Sequence, residues 1–267
     1  MLDRLSPPDR AKLVAAYHAV RFIEDGMQVG LGTGSTARWV VRILEAEHHI
    51  FGLSIQGVAT SSVTADLARA LGLKLSTLDQ AGWLDLTIDG ADEIDPDFNL
   101  IKGAGGALLQ EKIVAAASDR MIVIGDESKT VPALGAMPLP VEVVRFGAEV
   151  TQATVEDLLV DQRVERSETR WRMADGARFV TDEGHYLLDL ALDRIDAPHA
   201  LAETLLAVPG VVETGLFLDL AETVVIGAAS GEARILFADA EAQVADIDDA
   251  ERFERILARM MDVGDGP

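Results

Sequence analysis

Four short stretches of the chain combine tight turns with residues that hold anions or move protons. GLGTGSTA at 30–37 carries Thr33, Gly34, Ser35 and Thr36, and DGADEIDPDFN at 89–99 opens on Asp89, Gly90, Ala91 and Asp92. KGAGGALLQEKI at 102–113 joins Lys102 to Gly103, Ala104 and Gly105 and then to Glu111, and DESKT at 126–130 supplies Lys129. A glycine turn entering a helix offers N–H groups and the positive end of the helix dipole to an anion, and Ser35 and Thr36 add hydroxyl donors. Asp89, Asp92 and Glu111 are candidate acid–base groups, and Lys102 and Lys129 are candidate counter-charges. Proton transfer on a phosphorylated small molecule suits this combination.

Each stretch also has a plainer reading. GTGST lacks the full GxGxxG spacing of a dinucleotide fingerprint and the GK[ST] ending of a P-loop, and a tight turn alone explains its glycines. The acidic run is not an EF-hand. Counted from Asp89 or Asp95, Gly should stand sixth and Glu twelfth, where the chain has Ile94 and Leu100, or Leu100 and Gly106. An Asp-capped solvated turn is the simpler alternative. A lone Glu on a helix, such as Glu111, is most often solvated. Helical geometry puts Ala107, Glu111, Ala115 and Ser118 on one face with Lys112 about 100° away, which separates Glu111 from Lys112.

The elements that must position these residues read as alternating β and α up to about residue 135. MQVGLG is a predicted strand, ARWVVRILEAE a helix, SIQGVAT a strand, SVTADLARALG a helix and KLSTL a strand. LDLTIDGAD runs from a strand into the acidic turn, GALLQEKIVAAAS is a helix and RMIVIGD a buried strand. This order predicts a mostly parallel, Rossmann-like sheet with ligands at the C-terminal strand ends. From PLP at 138–140 the order becomes βαββαβ, with PVEVVRF, RVERSETRW, HYLLDLAL and VVETGLF as strands, the pattern of a ferredoxin-like α+β lid domain. TVVIGAA and RILF return to the first sheet in this reading, giving domains at 1–137 plus 219–237 and at 138–218. Residues 238–267 form an acidic extension with the amphipathic helix DDAERFERILARMM.

Of 267 residues, 45 are acidic and 23 basic, for a net charge of −22 and 49% apolar content. That balance supports a packed core and opposes binding to nucleic acid or anionic membranes. The absence of Cys removes disulfides, thiolate catalysis and Cys-ligated metals. None of His18, His48, His49, His185 or His199 lies in a motif, which disfavours a Ser-His-Asp hydrolase. The charged N-terminus and the lack of an 18-residue apolar window predict a cytoplasmic protein. Only five of the basic residues are Lys, which suits a surface exposed to high salt and equally a GC-rich genome that trades Lys for Arg.

GTGST, DGADEI, KGAGGALLQEKI, DESK and PLPVEV, in this order, with IDAP and VPGVVETGLF following, resemble the ribose-5-phosphate isomerase A family. The resemblance implies a metal-free, cofactor-free aldose–ketose isomerase, a homodimer or homotetramer, that interconverts ribose 5-phosphate and ribulose 5-phosphate. It implies that the loop Thr33, Gly34, Ser35 and Thr36 contacts substrate, with Ser35, Thr36 and Lys129 near the phosphate, that Asp89 and Asp92 lie near the sugar hydroxyls, and that Gly90 and Ala91 also bind substrate. Lys102 with Gly103, Ala104 and Gly105 would line the reacting end, and Glu111 would be the base. The family commonly reads KGGGAA, so Ala104 stands here in place of a glycine. The alternative is a non-catalytic sugar-phosphate sensor; about 28 residues before the first glycine turn are too few for a helix-turn-helix module.

Overall fold

The computed structural model describes residues 5–161 and 168–262. The chain divides into two compact units, one holding the residues up to Gly90, Ile113–Ser128 and those from Ala221 onward, the other Ala91–Lys112 and Lys129–Leu220.

In the first unit, seven strands among the described residues form one sheet, ordered Ala240–Ala245, Ala233–Phe237, Thr223–Gly227, Met121–Asp126, Leu86–Gly90, Gln28–Leu31, Gln56–Ala59. The strands from Thr223–Gly227 to Gln56–Ala59 run parallel, and the remaining two extend the sheet antiparallel. This is the Rossmann-like sheet, and its parallel members are apolar runs because helices cover them. Register pairs Leu31 with Ile88 and Asp89 with Val123, which brings the strand ends carrying GTGST and DGAD side by side.

Helix Pro7–Val20 starts under a Ser6 cap with Pro at its first turn, and buries Leu13, Val14 and Tyr17. Helix Ala37–Phe51 ends at Gly52 in the left-handed region. The C-terminal helix Ala250–Asp262 packs on it. Phe253, Ile256, Leu257 and Met260 are buried, each worth about 1.5–3 kcal/mol if fully removed from water, and Arg252 and Arg259 pair with the buried Glu47 and Glu45. The extension therefore belongs to the core of this unit.

Two sequence expectations fail here. KLSTL forms no strand beyond a single bridge from Leu75 to Gly57, because Thr77 caps the short helix Leu78–Ala81 in a capping box with Gln80. The acidic stretch after 238 carries no strand signal, yet Ala240–Ala245 is the sheet's edge, exposed almost throughout. A mostly solvated edge strand has no buried face, and so leaves no alternating apolar signal.

In the second unit, an antiparallel sheet is ordered Val211–Thr214, Leu139–Val143, Tyr186–Ala191, Glu168–Trp171, with helices Ala148–Asp161 and Pro198–Leu206 between its strands. This is the ferredoxin-like βαββαβ arrangement. Residues 163–167 of the predicted RVERSETRW strand lie outside the described residues. Leu139, Val141, Val143, Leu188 and Leu190 face the helices' apolar residues in a buried core. A small three-stranded sheet, Leu216–Phe217, Leu100–Ile101 and Glu93–Ile94, holds the segment from the acidic turn to Lys102. VVETGLF is thus split between two sheets at Gly215, where a Cβ would lie 2.3 Å from the Lys102 carbonyl oxygen.

Candidate active site

In the first unit, the GTGST loop is held from beneath by Asp89. This carboxylate is fully buried and accepts from the N–H of Thr33 at 3.1 Å and of Gly90 at 2.7 Å through Oδ1. Gly32 makes the approach possible, since a Cβ there would meet Asp89 at 2.2 Å and its Cα at 2.6 Å. The Thr33 hydroxyl lies 2.8 Å from Thr60 Oγ1 and 2.7 Å from Ser61 Oγ, and Thr64 Oγ1 donates to the Gly32 carbonyl at 3.0 Å. Thr60, Ser61 and Thr64 were not singled out from the sequence. TSSVT following a strand was the available signal. Gly34 turns through φ 110° and is exposed with Ser35, while Thr36 stands at the start of Ala37–Phe51 with no side-chain capping bond. Ser35 and Thr36 are thus hydroxyls at a helix N-terminus that the helix itself does not consume.

In the second unit, DGADEI and KGAGGA are tied together. The Asp92 N–H donates to Ile101, and Asp92 Oδ2 accepts the Ala104 N–H at 2.8 Å. Glu93 is a structural pin, a buried carboxylate that accepts the N–H groups of Gly135 at 2.7 Å and Met137 at 2.5 Å. The turn closes with the Gly106 N–H on the Gly103 carbonyl at 3.0 Å. Its left-handed positions are Gly103, φ 109°, and Gly106, φ 85°, whose missing Cβ leaves room for the Phe179 ring. Ala104 is not among the positive-φ residues, which is why it is tolerated where the family commonly has glycine.

Lys102 and Glu111 meet in the interior of this unit. Lys102 Nζ lies 3.4 Å from Glu111 Oε2, with side chains 3% and 5% exposed. Lys102 is fixed at its own N–H by the Gly215 carbonyl, and Glu111 at its N–H by the Ala107 carbonyl in the first turn of Leu108–Ala116. The ammonium is 5.3 Å from the centre of the Phe217 ring. The expectation that a lone helical Glu is solvated therefore does not hold for Glu111. Lys112 turns away as its helical position requires, to Glu213 at 2.7 Å and the Thr214 carbonyl at 2.7 Å. Burial pushes the Lys112 ammonium below its ordinary range, and Glu213 opposes that shift. Lys129 ends a one-turn helix, Glu127–Lys129, and is half-buried. Among the described residues, no cluster of three or more His, Asp or Glu is placed to hold a metal ion.

The family model for ribose 5-phosphate isomerase A (phosphoriboisomerase A) matches residues 56–231. This chain belongs to that family. It is 58% identical to ribose-5-phosphate isomerase A of Dinoroseobacter shibae over 235 residues, 88% of this chain and 90% of the relative. The Cereibacter sphaeroides isomerase A is 52% identical over 267 residues, 99% of this chain and 100% of the relative, so the C-terminal extension has a counterpart there. The structure resembles ribose 5-phosphate isomerase from Plasmodium falciparum with a TM-score of 0.82 and 34% identity, covering 87% of this chain and 100% of that one. A D-ribose-5-phosphate isomerase in complex with phospho-erythronic acid matches with a TM-score of 0.81 and 36% identity, over 87% of this chain and 100% of that one. For an isomerase A, the buried Lys102–Glu111 pair beside a glycine turn is the feature to account for chemically.

Proposed function

We infer that this chain is an aldose–ketose isomerase that interconverts ribose 5-phosphate and ribulose 5-phosphate, and we propose Glu111 as its base. Moving the carbonyl between C1 and C2 requires one proton to leave C2 and return to C1, and a single carboxylate serves both steps. The intermediate is an enediolate, whose oxygen charge is met by the Lys102 ammonium and by N–H groups of the Gly103–Gly105 turn. The observation that carries this reading is the Lys102–Glu111 pair, 3.4 Å apart and almost wholly buried. A dry setting strengthens the field of the ammonium on developing negative charge.

Ser35, Thr36 and Lys129 are proposed for the phosphate end of the substrate, Asp89 and Asp92 for its hydroxyls, and Thr33, Gly34, Gly90 and Ala91 as further substrate contacts. Asp89 supports the phosphate loop through its bonds to Thr33 and Gly90, and Asp92 supports the glycine turn through Ala104. Proton relay between sugar hydroxyls is proposed for this pair of aspartates as well. Among the described residues no helix is long and apolar enough to cross a membrane. A cytoplasmic homodimer or homotetramer is proposed from the family resemblance and the charged N-terminus, and activity in molar salt from the 45 acidic against 23 basic residues. Sizing the protein and assaying it from low to molar salt tests those two points.

The roles are separable by kinetics. Ser35→Ala, Thr36→Val and Lys129→Met should raise KM for ribose 5-phosphate, while Glu111→Gln should lower kcat by about 10²–10⁴-fold with substrate binding retained. A Glu111→Gln enzyme with near-normal kcat removes Glu111 from the reaction.

A further inference from the structure

Arg172 stands just beyond the strand Glu168–Trp171, in a segment from which the sequence offered no functional signal. Its guanidinium is committed on two sides. Nε donates to Asp189 Oδ2 at 3.0 Å and Nη2 to Asp189 Oδ1, a two-point fork. Nη1 donates to the Gly103 carbonyl at 2.6 Å and to the Ala104 carbonyl at 3.1 Å. The side chains are 18% and 23% exposed, so the pair is mostly withdrawn from water. Arg172 itself is fixed by main-chain bonds, its N–H to Leu187 and its carbonyl to the N–H of Phe179, the residue whose ring fills the space at Gly106.

Those two carbonyls belong to the peptide groups whose N–H donors are Ala104 and Gly105. The Ala104 N–H is used by Asp92, and the Gly106 N–H closes the turn on Gly103. The Gly105 N–H has no acceptor among the described residues, and Gly105 is exposed. A cation bound to a peptide oxygen draws electron density from the nitrogen and makes that N–H a stronger donor, and chains of such bonds reinforce one another. It also fixes the orientation of a turn built on glycine, whose backbone is otherwise the most permissive in the chain.

We propose that Arg172, held by Asp189, is a positioning residue for the isomerisation: it orients and polarises the 103–105 turn so that the Gly105 N–H meets the enediolate oxygen. The proposal rests on the reading that this turn and Glu111 form the reacting end. Charge on that oxygen develops only on the way to the intermediate, so the contribution falls on kcat and leaves KM almost untouched.

The test compares wild type, Arg172→Met, Arg172→Lys and Asp189→Asn by kcat, KM and melting temperature, with Glu111→Gln assayed beside them. Arg172→Met should lower kcat by about 10²-fold, the scale of a lost or misplaced oxyanion donor, with KM within about threefold of wild type. Arg172→Lys should recover part of kcat, since an ammonium reaches one carbonyl but cannot span the two carbonyls and Asp189 together. Asp189→Asn keeps the guanidinium and its carbonyl bonds, and should lose about tenfold in kcat while folded, which keeps the idea testable if Arg172→Met does not fold. Folded Arg172→Met or Asp189→Asn enzymes with wild-type kcat, or with the whole loss in KM, overturn the positioning role while leaving Glu111 as base. A Glu111→Gln enzyme that turns over normally instead overturns the reading of the reacting end, and this one with it.

Discussion

Helix Leu108–Ala116 carries two consecutive charged residues, each paired inside the protein with a group of opposite sign, and the two pairs are built differently. Lys112 meets Glu213 at 2.7 Å and donates a second bond to the Thr214 carbonyl, with side chains 17% and 19% exposed. Glu111 meets Lys102 at 3.4 Å, beyond the usual length of a charge-assisted hydrogen bond, with side chains 3% and 5% exposed. Both ammoniums lie near the Phe217 ring, at 4.9 and 5.3 Å. The shorter pair, with the Thr214 carbonyl as a further acceptor, joins the helix to the strand Val211–Thr214 and serves the fold. The longer and drier pair holds its charges where water screens them least, which suits the role proposed for Glu111 of gaining and losing a proton beside a cation.

Removing one member of each pair should break the comparison in opposite ways. Lys102→Met should have the largest effect, lowering kcat by about 10²–10³-fold if Lys102 is the cation proposed for the enediolate. It should also destabilise the protein by about 3–5 kcal/mol, because one member of a buried ion pair is removed. Steady-state kinetics and denaturant melts on the same preparation separate the two effects. Lys112→Met should cost about 1–3 kcal/mol by the same melts, with kcat per folded molecule unchanged. Lys112→Met with Glu213→Leu should recover part of that loss. A large kcat loss in folded Lys112→Met would mean that both pairs belong to the chemistry.

Glu142, another buried carboxyl, sharpens the contrast. Glu142 is fully buried on the central strand Leu139–Val143, accepting from Thr181 Oγ1 at 2.9 Å and paired with His185 Nδ1 at 3.0 Å. Burial raises its carboxyl above the ordinary 4.5, against the lowering effect of both partners. The fold therefore holds a proton that the unfolded chain has released over the pH range just above 4.5, and charging Glu142 costs stability as pH rises through its folded value. Glu142→Gln should raise Tm by about 2–4 °C at pH 7–8, the shift expected for about 1 kcal/mol in a chain of this size. The gain should shrink as pH falls toward 4.5. A gain that grows on acidification would contradict the sign.

Much of the fold was legible because its parallel strands are apolar runs ended by glycine turns, and because βαββαβ is written in short amphipathic segments. KLSTL was misread because apolar content at Leu73, Leu75 and Leu78 looks alike in a strand and in a capped turn, and Thr77 with Gln80 decides for the cap. The edge strand Ala240–Ala245 was invisible since it buries no face. Among the candidate site residues, the glycine turns and the carboxylates could be named from motif order. Glu93, however, reads in DGADEI like its neighbours and proves to be a pin for 135–137 through long-range backbone bonds. Thr60, Ser61, Thr64 and Arg172 act on loops distant in sequence, and periodicity carries no information about such contacts.

Deuterium transfer during turnover tests the central distinction between the two pairs most directly. Ribose 5-phosphate is converted in D2O with excess chelator by wild type, Lys112→Met and Glu111→Gln, and deuterium at C1 of the ribulose 5-phosphate formed is followed by NMR. Wild type and folded Lys112→Met should incorporate deuterium at similar rates, while Glu111→Gln binds the substrate and incorporates none above background. Incorporation by Glu111→Gln at a rate near that of wild type would contradict the assignment of Glu111 as the base.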